Sequence, residues 1–163
     1  GGLGFNIFNP ALIGRAFVLI SWPKQMTTWM APVESVTSMD VVTQATPLNL
    51  AKIEGMDKLL EQFGGSKVAL WKSLAVGGVS GSLGETSAVL VLLGGLFLLV
   101  RGYITWHIPV SFLATVALIA GVTGSDPVFH LLSGGLMLGA FFMATDYVTG
   151  PAVRSAQVVF GIG

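Results

Sequence analysis

Residues 102–145 read GYITWHIPVSFLATVALIAGVTGSDPVFHLLSGGLMLGAFFMAT and carry no lysine or arginine and a single acid, Asp126. At about 1.5 Å of rise per residue, roughly 20 apolar residues cross the hydrocarbon core of a bilayer. Residues 102–125 and 127–145 are therefore each long enough to span it. Between them Gly124-Ser125-Asp126-Pro127 reads as a turn and a helix start: Ser125 or Asp126 can cap free N–H groups, and Pro127 takes the position that needs none. Upstream, Glu85 and a scatter of glycines (Gly77, Gly78, Gly81, Gly84) precede the clean apolar run 86–100, which predicts a broken or re-entrant helix over 74–100. Residues 1–23 hold one charge, Arg15, and read as the end of a further span. The fold class that follows is an all-α integral membrane protein, a multi-span helical bundle with broken or re-entrant helices. Because the sequence starts at Gly1 and stops within the apolar run 158–162, it reads as a fragment of a larger subunit, with 1–163 forming part of one membrane domain. Its opening lacks the basic stretch and small-residue cleavage site of a signal peptide.

Composition agrees. The chain is 53% hydrophobic and 10% charged, with a mean hydropathy of +0.80, whereas a soluble domain carries about a quarter charged residues. Eight basic and eight acidic side chains, with no basic stripe, exclude nucleic acid as a partner. The absence of cysteine excludes disulfides and thiolate ligation of zinc or an iron–sulfur cluster, so a redox role needs another cofactor. Residues 23–80 form a polar insert, in which 56–63 reads as a short amphipathic helix closed by Gly64-Gly65, and 68–75, with Trp71, as a helix suited to the interface. Trp22, Tyr103, Trp106 and Tyr147 fall near the ends of apolar runs, where a ring with a polar edge suits the headgroup layer. If the runs cross in alternation, Arg101 and Arg154 lie on the cytoplasmic side, and the insert and 123–126 lie outside.

The insert also holds the strongest chemical signal, Asp40-Val41-Val42-Thr43-Gln44-Ala45-Thr46-Pro47-Leu48. Pro47 biases Thr46 toward extended backbone and keeps its side chain out of a helix. On the residues alone this is either a modifiable hydroxyl or an ordinary loop with a threonine turn. The nonapeptide resembles the flavinylation site of two related families, RnfD of the Rnf ferredoxin:NAD oxidoreductase and NqrB of the sodium-pumping NADH:quinone oxidoreductase. Asp40, Thr43, Ala45 and Thr46 match, and Gln44 stands where many members have glycine. The likeness extends through Asn9 to Phe17, Gly81 to Ser87 and Phe141 to Asp146, four ordered blocks in all. The compact insert and Thr-Gln-Ala-Thr favour the RnfD family.

The resemblance implies FMN joined by a phosphoester to Thr46 after maturation by a flavin transferase, with Asp40, Thr43, Gln44 and Ala45 as the surrounding signal. It implies a multi-pass subunit of the bacterial inner membrane, with FMN on the outer side and electrons arriving from a flavin-bearing neighbour. Ion transport, of Na⁺ or H⁺, is coupled to this redox chemistry, and a second, non-covalent flavin is compatible with it. Arg15 can neutralise the FMN phosphate or a lipid phosphate, or snorkel, or pair with an internal carboxylate. Glu85 and Asp146 are candidates for an ion path, with helix capping and a structural break as their plainer roles. His107 and His130 have no second ligand at helical spacing and read as interface or packing residues. Gly77-x-x-x-Gly81 and Gly135-x-x-x-Gly139 read as close helix packing, and the glycine-rich breaks near Gly84 and Gly150 suggest an internal repeat. The rival class is a channel or secondary transporter with broken helices and no flavin.

Overall fold

A computed structural model describes residues 5–30, 43–81 and 86–163. The described part is mostly helical. Helix α1 (Pro10–Ser21) starts where Asn9 accepts the Ala11 N–H and Pro10 takes the first position. After the short α2 (Pro23–Thr27), strand β1 (Trp29–Met30) pairs antiparallel with β2 (Thr43–Gln44), Trp29 opposite Gln44 and Met30 opposite Thr43. This two-residue ladder is a small addition to a described chain that is otherwise helical, as the all-α reading expects.

The insert then folds into three short helices, α3 (Pro47–Ile53), α4 (Met56–Gln62) and α5 (Lys67–Val76). The amphipathic α4 ends as its sequence predicts: Gly64 and Gly65 have φ of 87° and 72°, and the Gly65 N–H returns to the Leu60 carbonyl at 2.6 Å. Leu59 of α4, Leu70 and Leu74 of α5, and Val79 just beyond it form a buried cluster with Phe129 of α8 (Pro127–Leu132). Against water, each such side chain contributes about 1.5–3 kcal/mol when fully buried. Asp126 fixes where α8 begins, since its carboxylate accepts the Val128 and Phe129 N–H groups at 3.0 and 3.4 Å.

The break expected within 74–100 lies between α5, which ends at Gly77 with φ 112°, and α6 (Ala88–Val100), capped by Ser87. Ser87 Oγ also donates to the Ala75 carbonyl at 2.9 Å, tying the two helix ends together. Glu85 lies outside the described residues.

The two long apolar runs depart from expectation. In 102–125 the helix α7 occupies only His107–Val122, because residues 101–106 are spent on a turn around Gly102, with φ 74°. The run 127–145 is not one helix. It stops at Leu132, passes through extended Ser133 and through Gly134 at φ 67°, and resumes as α9 (Leu136–Leu138) and a π-helical turn (Gly139–Met143). A side chain at Gly134 would be strained in that left-handed conformation, so the glycine is what permits the break. Among the described residues, no helix is long and apolar enough to cross a membrane.

Helix α10 (Arg154–Ile162) packs against the start of α7. A Cβ on Gly161 would meet Ser111 Oγ and would lie 2.9 Å from the Ile108 carbonyl oxygen. Gly161→Val should therefore wedge the two helices apart and cost about 1–3 kcal/mol, read as a lowered unfolding temperature of the detergent-purified protein. Unchanged stability would show that α10 does not rest on α7 at this point.

Candidate functional site

Thr46 sits at the junction of β2 and α3. Pro47 follows it, and the Thr46 backbone is extended, at φ −64° and ψ 152°, as the sequence predicts. Its carbonyl accepts from Asn49 and Leu50 N–H at 2.9 and 3.0 Å, and its Oγ1 accepts weakly from Asn49 N–H at 3.4 Å. Pro47 is buried, so the residue carrying the hydroxyl is anchored from both sides.

The half-buried Thr46 opens on a cavity of about 710 Å³ between the insert and the turn that leads into α8. Its walls include Lys52 of α3, Lys67 at the start of α5, Asp126, Phe129 and His130. Phe129 is 1% exposed and belongs to the core cluster, so one wall is rigid and apolar. His130 lies edge-on to Phe129 with ring centroids 5.5 Å apart, and His107 stacks on Trp106 at 4.2 Å, so both histidines pack against aromatic rings. A second cavity of about 350 Å³ adjoins the first, sharing Lys67, Gly124, Ser125 and Asp126, and is bordered by Trp71.

The remaining residues singled out in the sequence scatter. Asp40 lies outside the described residues. Thr43 and Gln44 enter through the backbone ladder, and Ala45 is half-buried beside Thr46. Arg15 is exposed on α1 and is not among the residues that line the Thr46 cavity. Asp146 accepts a 2.8 Å hydrogen bond from Thr149 Oγ1 beside a separate cavity of about 280 Å³. That cavity includes Ile108 near the start of α7, whereas the Thr46 cavity includes Gly124 just past its end. The 16 residues of α7 place the two about 24 Å apart along the helix. Thr105 Oγ1 donates to Gln157 Oε1 at 2.9 Å, and Gln157 Nε2 donates to the Pro151 carbonyl at 3.1 Å, closing the Asp146 end.

Sequence reasoning missed Lys52, Lys67 and Phe129, because nothing in their local pattern marks them. What brings them to Thr46 is the packing of α3, α4 and α5 on α8.

A mostly helical chain with an apolar exterior, interrupted helices and a hydroxyl set over a mixed polar and apolar cleft defines the class. The particular family follows: this chain belongs to the NQR2, RnfD, RnfE family, which it matches over residues 1–163. It is 51% identical over 170 residues to the D subunit of the proton-translocating ferredoxin:NAD(+) oxidoreductase complex of Clostridium ljungdahlii, covering 100% of this chain and 50% of that protein. It is 45% identical over 166 residues to the D subunit of the Na(+)-translocating ferredoxin:NAD(+) oxidoreductase complex of Acetobacterium woodii, covering 100% and 48%. With the D subunit of the ion-translocating oxidoreductase complex of Rhodobacter capsulatus it shares 40% over 191 residues, covering 100% and 52%. The chain thus spans about half the length of the curated relatives it matches.

The cap at Asp126 holds both the cleft rim and Phe129. Asp126→Ala should cost about 1 kcal/mol of stability, with Asp126→Asn retaining most of it. Thermal unfolding of both variants checks this; equal losses in the two would show that the carboxylate's charge, rather than its cap, matters.

Proposed function

We propose that this chain is part of a membrane subunit of an ion-translocating electron-transport complex of the ferredoxin:NAD type. In this reading FMN is joined by a phosphoester to Thr46 and relays electrons between partner subunits while Na⁺ or H⁺ is moved. The observation that carries the reading is the placement of Thr46 on the wall of a cavity of about 710 Å³. That volume falls within the roughly 300–1,000 Å³ of small-molecule sites. The wall chemistry suits an amphiphilic flavin, with apolar Phe129, Leu48 and Met56 on one hand and cationic Lys52 and Lys67 on the other. When bound, the isoalloxazine ring supplies one-electron chemistry, while the protein supplies position and electrostatics.

In this reading the chain's own residues have three tasks. Thr46 provides the attachment oxygen, held in place by the cap geometry of α3. Asp40, Thr43, Gln44 and Ala45 form the segment that a flavin transferase reads. Glu85 and Asp146 are the carboxylates proposed along the ion path, with Asp146 at the opposite end of α7 from Thr46. The topology supports a site on the outer side of a bacterial inner membrane: the cleft closes on the 124–126 turn, which shares a side with the insert under the charge rule, while Arg101 and Arg154 flank the other end. The relatives named for proton and for sodium translocation both support ion coupling.

In-gel flavin fluorescence of the SDS-denatured protein, after expression with its flavin transferase, tests the proposal. Fluorescence should survive denaturation in the wild type and vanish in Thr46→Val. A dark band in both, with an active transferase, would overturn the flavin reading and favour a channel or secondary transporter.

A further inference from the structure

We infer that Asn9 is a positioning residue for Asp146: its side-chain amide holds the carbonyl on which the Asp146 backbone rests, and so aims the carboxylate. The inference rests on the place proposed above for Asp146 along the ion path.

Asn9 makes two bonds from two different atoms. Its Oδ1 accepts the Ala11 N–H at 2.9 Å and starts α1. Its Nδ2 donates to the Met143 carbonyl at 3.0 Å, across 134 positions of sequence. The first bond needs only an acceptor, which serine, threonine or aspartate would supply as well. The second needs a donor on a separate atom of the same side chain, which among the good caps only asparagine has. Capping alone therefore does not account for an asparagine here.

The Met143 carbonyl matters for what else it holds. Met143 closes the π-helical turn Gly139–Met143, and its carbonyl also accepts the Asp146 N–H at 3.4 Å. Asn9 and Asp146 thus meet on one oxygen, and the shorter bond is the one from Asn9. From there Asp146 is fixed twice more: its carbonyl accepts the Gly150 N–H at 2.8 Å, and its Oδ2 accepts from Thr149 Oγ1 at 2.8 Å. The turn is backed on another side by α6, because Phe141 and Phe142 press on Gly95 and Gly94. A Cβ on Gly95 would lie 2.6 Å from the Phe141 ring. The π-helical turn, a rare element that recurs at functional sites, is in this way held between α6 and Asn9. Asp146 follows it directly and lines the cavity of about 280 Å³.

The experiment uses the complete complex with the full-length subunit, reconstituted in liposomes. Ferredoxin-driven NAD reduction is followed as Na⁺ is varied at fixed pH and as pH is varied at fixed Na⁺. Asp146→Asn should abolish or displace whichever ion dependence the wild type shows. Asn9→Ser and Asn9→Thr keep a capping oxygen but are too short to reach Met143. Both should raise the half-saturating ion concentration by about two- to tenfold, the effect of losing one hydrogen bond, while the maximal rate stays near that of the wild type. For protons this appears as a midpoint lower by about 0.3–1 pH unit, the same factor on a logarithmic scale. Asn6→Ala, at an exposed position, should behave as wild type. A lower maximal rate at an unchanged half-saturating concentration, or failure of both Asn9 variants to assemble, would make Asn9 a structural staple and overturn the inference. Wild-type ion dependence in both Asn9 variants would overturn it too. Wild-type ion dependence in Asp146→Asn would instead sink the role of Asp146 on which the inference rests, so the two failures are told apart.

Discussion

The arrangement depends on one apolar contact: Leu59, Leu70, Leu74 and Val79 closing around Phe129. Three of these side chains come from the short helices of the insert, which are too brief to be stable alone. Phe129 comes from the helix that Asp126 starts. The contact therefore joins a polar segment to an apolar one, and Thr46 faces the 124–126 turn because of it. Without this packing the hydroxyl would sit on a loose strand end with no cleft beside it.

A second constraint is the repeated interruption of helices in apolar sequence. The chain stops helix formation at Gly77, again at Ser133-Gly134, and relaxes into a π-helical turn at Gly139–Met143. Each interruption frees backbone groups that an apolar surrounding cannot satisfy, so each must find partners inside the protein. Ser87 Oγ supplies one for the Ala75 carbonyl, and Asn9 Nδ2 supplies another for the Met143 carbonyl at 3.0 Å. Ser133, only 3% exposed, has no partner for its hydroxyl among the described residues at the break between α8 and α9. Interruptions of this kind cluster where a protein lines a path or a site.

These two constraints give the molecule a polarity along α7. One end carries the cleft of Thr46, Lys67 and Asp126; the other carries Asp146 and Gln157 in a smaller cavity, with Thr149 hydrogen-bonded to Asp146 beside it. An arrangement with a cavity of about 710 Å³ at one end and a compact polar one of about 280 Å³ at the other suits the proposed coupling of electron relay to ion movement.

The sequence by itself determined the apolar character of the chain, the turn at Asp126-Pro127, the short helix ended by Gly64-Gly65, the extended backbone of Thr46 and the family to which the motif blocks belong. These are local: each depends on side-chain chemistry or backbone restriction within a few residues. It did not reveal the break at Ser133-Gly134, because a hydropathy window averages over two small residues and registers only that 127–145 is apolar. Nor did it reveal Lys52, Lys67 and Phe129 as neighbours of Thr46 in one cleft. Only the tertiary structure decided that, since residues up to 84 positions apart meet through the packing of α3, α4 and α5 on α8, and long-range apolar burial leaves no mark in local spacing.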